Sequence, residues 1–197
     1  MEKLSSLDMV TVKQKVEWVE VFTGFEGKNR YSVKDSYDND IYFAAEKSSF
    51  LARIFLPFLR PLEVHVMNLD GAGVFKIVKP FRFFFHEGRV GDFNGKYYGK
   101  VKREWAFLRK KISVENAENR EIYKIESSVM HPWTLKIYRE GIEVGEILKK
   151  WSGAAKEFFS DADNFSIKFP VGAPIEDKAL LLSAVFLADL VYFEKKD

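Results

Sequence analysis

The sequence predicts a mainly β fold: a closed antiparallel barrel wrapped around one buried hydrophobic helix near the C-terminus. Two observations carry this. First, Ala179 to Phe193 is apolar on every side of a helical projection, with Leu180, Leu181, Leu182, Val185, Phe186 and Leu187 leaving no polar stripe. A helix apolar all round either crosses a membrane or is enclosed by protein. The run is about 15 residues long where a span needs roughly 20. It also contains Asp189, and an ionised carboxylate in mid-bilayer costs several kcal/mol. Enclosure is the reading these residues favour, and only a closed sheet encloses a helix. Second, short β-branched stretches separated by polar turns recur at regular spacing through the rest of the chain, the pattern of a barrel or sandwich.

The elements follow in order. Residues 1–8 read as an N-terminal tail. Met9 to Val21 alternates in patches around Val10, Val12, Val16 and Trp18 and predicts strand with a break near Gln14-Lys15. Arg30 to Lys34 and Ile41 to Ala45 flank a polar tip, Asp35 to Asp40, and predict a hairpin. Leu62 to Met67 and Val74 to Val78 predict a second across Asn68 to Gly73, stopped by Pro80. Lys111 to Val114 with Glu121 to Ile125, and Trp133 to Tyr138 with Val144 to Leu148, predict two more, so the halves resemble a loose internal duplication. A short helix is expected within Ser152 to Phe159 and a strand over Phe165 to Phe169. The central helix is expected over about 174–194. Pro174 is tolerated in its first turn, Glu176 and Asp177 lie at the positive end of its dipole, and Lys195 and Lys196 lie at the negative end.

The totals fit one domain, 1–197. Of 197 residues 47% are hydrophobic and 30% charged, enough for a sizeable core and near the ordinary soluble balance. Net charge is +2, so no global basicity demands nucleic acid. The absence of Cys removes disulfides, thiolate metal sites, cysteine nucleophiles and S-acylation together. The first residues lack the apolar core of a signal peptide, so Asn164-Phe165-Ser166 reads as an accidental glycosylation match.

Three stretches do not fit a plain barrel strand. Ser49 to Leu59 is apolar where a connection is normally polar. Its Phe50, Leu51, Ile54, Phe55, Leu56 and Phe58 suit insertion into a bilayer interface beside Arg53 and Arg60, and equally a lid over the barrel end. Phe81, Phe83, Phe84 and Phe85 suit a core more than a lipid-tail pocket. Lys96 to Lys111 carries Lys96, Lys100, Lys102, Arg103, Arg109, Lys110 and Lys111 against Glu104, with Tyr97, Trp105 and Phe107 among them. This mix suits anionic lipid, a nucleic-acid backbone, or the solvated face of two strands. No catalytic constellation stands out: His65, His86 and His131 lack metal spacing, and no phosphate loop or nucleophile elbow is present. Asp161 and Asp163 open an Asp-x-Asp calcium pattern. The places that should hold an oxygen, a glycine and a final carboxylate hold Phe165, Ser166 and Gly172, and a turn entering a strand explains the pair as well.

Val19 to Glu26, Asn29-Arg30-Tyr31, Ile41 to Glu46 and Arg60-Pro61-Leu62 resemble the phospholipid scramblase family. So do Gly145 to Gly153, Phe159 to Phe165, Phe169-Pro170, Lys178-Ala179, Phe186 to Leu190 and Phe193-Glu194. The resemblance runs through nearly the whole chain in order. It implies the fold shared with the Tubby C-terminal domain and the LURP-one-related proteins: 12 antiparallel strands around one buried helix, here with Leu181, Val185, Phe186 and Asp189 at its centre. It also implies the family's calcium segment at Asp161 and Asp163, with backbone oxygens at Phe165, Ile167 and Phe169. Gly172 stands where the last acidic ligand would be, so calcium binding is expected to be weak or absent. The family's Pro-rich N-terminal region has no counterpart before the barrel. Its palmitoylated cysteines would fall in Ser48 to Phe58, where none stands. The basic import segment of some members falls near Lys149-Lys150-Trp151.

The expected function is that of a cytoplasmic, peripheral membrane protein that binds anionic phospholipid and takes part in its movement between leaflets. Phe50 to Phe58 would insert, and Lys100, Lys102, Arg103, Arg109, Lys110 and Lys111 would meet headgroups. The alternative is a soluble module for phosphoinositides, a partner protein or nucleic acid, with no transport.

Overall fold

In the computed structural model, residues 1–14, 25, 29–47, 61–80, 86–150 and 164–193 are described. They form twelve strands, all antiparallel: β1 (Met9–Gln14), β2 (Arg30–Lys34), β3 (Asp40–Lys47), β4 (Leu62–Met67), β5 (Gly73–Lys79), β6 (Glu87–Gly91), β7 (Tyr97–Arg103), β8 (Lys111–Asn116), β9 (Glu121–Ser127), β10 (Thr134–Arg139), β11 (Ile142–Lys150) and β12 (Asn164–Lys168). Each strand pairs with its sequence neighbours, and β12 returns to pair with β1, so the barrel is closed and up-and-down. Closure leaves no free edge. Two helices complete it, α1 (Glu2–Ser5) and α2 (Ile175–Ala188), the latter running on into a π-helical turn, Asp189–Phe193.

The strands alternate because one face meets the helix and the other meets water. In β9, Tyr123, Ile125 and Ser127 are buried while Lys124 and Glu126 lie on the outer wall. In β10, Leu135 and Ile137 point inward with no exposure. The outer wall carries paired charges, with Lys136 reaching Glu143 and Glu146 at 2.9 and 2.7 Å and Lys100 reaching Glu115 at 2.9 Å. An apolar lipid-facing girdle would not carry these pairs. No helix among the described residues is long and apolar enough to cross a membrane.

Four of the five hairpins share one turning device. Asp35, Asp70, Asp92 and Asn116 each accept a backbone N–H two residues on through a side-chain oxygen, the Asx turn that makes these residues good turn starters. A register shift follows in each hairpin, at Val33/Lys34, Val66/Met67, Val90/Gly91, Val114/Glu115 and Ile137/Tyr138. The β6–β7 hairpin was not expected as a strand pair. Glu87–Gly91 holds two glycines and one β-branched residue, so propensity gave no strand signal, and the ladders of β5 and β7 impose the extended conformation instead. Gly99 in β7 is required: at φ 146° its missing Cβ would lie 2.1 Å from the Glu115 carbonyl oxygen.

Helix α2 fills the barrel, packing chiefly on β6, β7, β8 and β12. Leu181, Leu182, Ala184 and Val185 are fully buried, as are Ser183 and Ala188 on other faces. Ser183 satisfies its hydroxyl on the Ala179 carbonyl at 2.7 Å. Asp189, buried at the end of this apolar rod, accepts the Tyr31 phenol proton at 2.6 Å, and the Tyr31 ring packs on Phe186 at 5.1 Å. At the other end Lys178 donates to the carbonyls of Leu4, Ser5 and Leu7. The expected tail of residues 1–8 is therefore a stopper. Leu4 is fully buried, and Lys178 answers the carbonyls that a helix as short as α1 leaves open. The expected strand beyond Gln14, the helix within Ser152 to Phe159 and the Phe81 to Phe85 run lie outside the described residues.

Leu181→Ala removes side-chain volume from the middle of the filled barrel and is expected to cost about 2–5 kcal/mol of stability. Urea unfolding measures it; an unchanged midpoint would show that the helix is not core.

Candidate functional site

An up-and-down barrel sorts its connections onto two rims. Here the five tight hairpin tips lie on one rim, together with α1 and the start of α2. The connections that follow β1, β3, β5, β7, β9 and β11 all leave from the other. The end of α2 reaches this second rim, where the Tyr192 hydroxyl donates to the Lys111 carbonyl at 3.0 Å and accepts from the Lys111 N–H at 3.1 Å.

The rims differ in charge. Of the twelve strand ends on the second rim, Arg30, Lys47, Lys79, Arg103, Lys111 and Lys150 are cationic and Glu87 alone is acidic. The hairpin tips hold Asp35, Asp38, Asp70, Asp92, Glu118 and Glu140 against Lys96 and Arg120. The rims differ in polarity as well. The β7–β8 connection exposes Trp105 (78%), Phe107 (83%) and Leu108 (68%), and the neighbouring β9–β10 connection exposes Val129 (57%) and Met130 (86%). Trp105 to Arg109, Lys111, Glu126 and Val129 line a groove of about 510 Å³ between them. These side chains leave the protein rather than turn back on it, a cost in water that an apolar partner removes.

The basic run Lys96 to Lys111 does not form one patch. Lys96 sits on the hairpin rim, bound to Glu176 in the first turn of α2 at 2.9 Å. Lys100 lies on the barrel wall against Glu115. Lys102, near the end of β7, pairs with Glu87 of β6 in register. Arg103 stands over the Tyr192 ring at 5.2 Å. Arg109 reaches Glu126 at 3.9 Å, and Lys111 reaches Glu104 at 2.9 Å and Glu126 at 3.8 Å. Lys110 is half-buried, and its ammonium lies 4.9 Å from the Phe193 ring centre and 5.3 Å from that of Trp133. Trp105 and Phe107 were legible as aromatics among cations. Leu108, Val129 and Met130 were not singled out, although an apolar Val129-Met130 between two strands was the available signal.

The insertion candidates Phe50, Leu51, Ile54, Phe55, Leu56 and Phe58 lie outside the described residues. Lys47 and Leu62, the strand ends on either side, are both on the second rim. Asp161 and Asp163 also lie outside the described residues. Phe165 and Ile167 are in β12 with buried side chains, and their backbone runs in ladders with β1 on one side and β11 on the other. The Phe169 N–H donates to the Asp8 carbonyl. Among the described residues no cluster of three or more His, Asp or Glu could hold a metal. The three histidines are apart: His65 bonds Glu63 at 2.6 Å and holds its carboxyl below the usual range, and His131 is exposed in the β9–β10 connection. His86 is on the second rim, where burial and then the positive charges of Lys79 and Arg103 push its imidazole down to about 4.

The fold and this rim define a class: a barrel filled by its own helix, with an apolar-tipped cationic end among the described residues. The Scramblase family model matches residues 1–195, and the chain belongs to that family. It is 30% identical to human phospholipid scramblase 1 over 98% of this chain and 65% of that protein. It is 31% identical to human phospholipid scramblase 2 (99% and 70%), and 30% identical to human phospholipid scramblase family member 5 (98% and 77%). The chain thus spans less than two thirds of the first of these relatives. No solved structure matches it.

His86 makes stability depend on pH. Folded, it takes up a proton only near pH 4; unfolded, it does so near pH 6.5. Between these values the unfolded chain binds more protons, so acidification from about pH 6.5 lowers stability. His86→Phe is expected to flatten the fall in urea midpoint between pH 7 and pH 5, and equal slopes in both proteins would remove this role.

Proposed function

We propose that this chain is a peripheral membrane protein that docks on anionic phospholipid by its second rim and, with its relatives, promotes phospholipid movement between leaflets. The observation that carries the reading is the pairing of exposed Trp105, Phe107, Leu108 and Met130 with the cationic strand ends behind them. Aromatic and aliphatic tips bury themselves at the level of headgroups and upper acyl chains, and each Lys or Arg near an anionic leaflet adds about 1 kcal/mol. The acidic hairpin rim would be repelled by the same leaflet, which fixes the orientation. The names of the relatives, phospholipid scramblases, bring the ligand class and the activity. Because α2 fills the barrel, lipid does not pass through it. On this reading the insertion of the rim loosens the leaflet, and headgroups cross beside the protein.

Calcium has no part in the docking step of this proposal. The geometry of β12 and the glycine at 172 support that, since the backbone at Phe165 and Ile167 is already in ladders. Charge pairing along most of the basic run argues against a continuous track for a nucleic-acid backbone.

Flotation with vesicles tests the reading. Binding is expected to anionic and not to neutral vesicles, equally with calcium or chelator, and the Trp105→Ser/Phe107→Ser double variant is expected to bind at least about tenfold more weakly. Equal binding to both vesicle types, or an unaffected double variant, would contradict it.

A further inference from the structure

Lys110 differs from the carboxylate-paired cations of its run, and the difference points to a site. Its backbone is fixed: the Lys110 N–H donates to the Ser127 hydroxyl at 2.9 Å, and the Ser127 N–H donates to the Lys110 carbonyl at 3.0 Å. The residue therefore stands at the root of both exposed connections, 104–110 and 128–133. Its side chain turns inward, and the ammonium donates to the Pro132 carbonyl at 2.8 Å while lying over the rings of Trp133 and Phe193. Lys100, Arg109 and Lys111 each have a carboxylate within 4 Å. Among the described residues no carboxylate reaches Lys110. A second ammonium, that of Lys149, lies 4.4 Å from the centre of the same Phe193 ring.

We propose that the Lys110 ammonium, backed by the Phe193 and Trp133 rings, binds the phosphate of one phospholipid headgroup between the two connections. The proposal rests on the membrane-docking reading above and gives it a defined subsite. An ammonium has three donors, and one carbonyl satisfies one of them. The residue is half-buried, and the aromatic faces attract the cation without neutralising it. Burial first, and the neighbouring Lys149 charge second, push the Lys110 ammonium below its ordinary value, so the free protein holds this charge at a cost. A phosphate oxygen supplies both the missing acceptors and the missing negative charge. Position agrees with chemistry. Trp105, Phe107 and Met130 are exposed where Lys110 is half-buried, so tips that enter the acyl boundary would leave Lys110 at headgroup depth. A nucleic-acid strand would have to pass across these apolar tips, and a protein carboxylate would have to reach in beneath them.

The test compares Lys110→Met, which keeps the buried stem, with Lys150→Met, which removes an exposed charge from the same rim. Each is titrated with vesicles of phosphatidylcholine alone and with phosphatidylserine or phosphatidic acid added. Lys150→Met is expected to weaken anionic-vesicle binding by about fivefold or less, the share of one surface charge. Lys110→Met is expected to weaken it by about tenfold or more, because a charge-assisted hydrogen bond is lost as well. Equal losses in the two variants would overturn the subsite and leave the docking reading standing. Failure of the unmodified chain to bind anionic vesicles would overturn both. A measurement on the unmutated sequence covers the case in which Lys110→Met does not fold. With nitrogen-15-labelled lysine, a soluble short-chain phosphatidic acid is expected to shift the Lys110 Nζ signal to saturation and not that of Lys124. No shift at Lys110 would overturn the proposal, and so would an equal shift with inorganic phosphate alone, which would assign the site to the free ion.

Discussion

The burial of α2 on all sides is the constraint from which the rest of the structure follows. A rod with Leu181, Leu182, Val185 and Phe186 around its circumference cannot lie on a surface, and one sheet face covers only one side of it. Closure of twelve strands is the solution, and it dictates the inward alternation of Tyr123, Ile125, Leu135, Ile137, Phe165 and Ile167. The two polar ends of the rod are answered individually, Asp189 by the Tyr31 phenol and Lys178 by the carbonyls after α1. Losing the carbonyls around Lys178 would leave a charged group in an apolar interior, which is costlier than losing an ordinary surface ion pair.

A filled barrel has no lumen to work with, so specialisation falls to its ends. The up-and-down order then does something a Greek key would not: every hairpin tip goes to one rim and every longer connection to the other. Four of the five hairpin tips are closed by Asp or Asn side chains accepting backbone N–H groups, so part of that rim's acidity is a by-product of turn chemistry. The opposite rim is free of that demand and collects cationic strand ends and apolar tips. Polarity along the barrel axis is thus partly a consequence of how the turns are made.

The enclosed helix and four of the hairpins were legible in the sequence because each rests on local pattern: an apolar run too short and too charged to span a bilayer, and alternating strands around polar tips. The resemblance to the scramblase family supplied the strand number. Other features were not legible for identifiable reasons. Glu87–Gly91 has no strand propensity and is extended only because its neighbours require it. The docking of Leu4 depends on Lys178, a residue 174 positions away. The basic run looked continuous, but a strand carries its residues from one rim to the other, so Lys96 and Lys110 ended at opposite ends of the barrel. Lys110 was one cation among seven until its depth and its ring partners were known, and Leu108, Val129 and Met130 acquired meaning only when two connections distant in sequence were seen side by side.

The central claim is that the barrel meets the bilayer with its long-connection rim while the helix stays inside. Hydrogen exchange of the chain with and without anionic vesicles tests this most directly. The account predicts that amides of 104–110 and 128–133 slow on binding, that the hairpin tips around Tyr37 and Asn119 do not change, and that Leu181 to Ala188 keep their protection. Faster exchange in Leu181 to Ala188 on vesicles would show that the helix leaves the barrel, and slowing confined to the hairpin tips would show that the molecule docks by the opposite end.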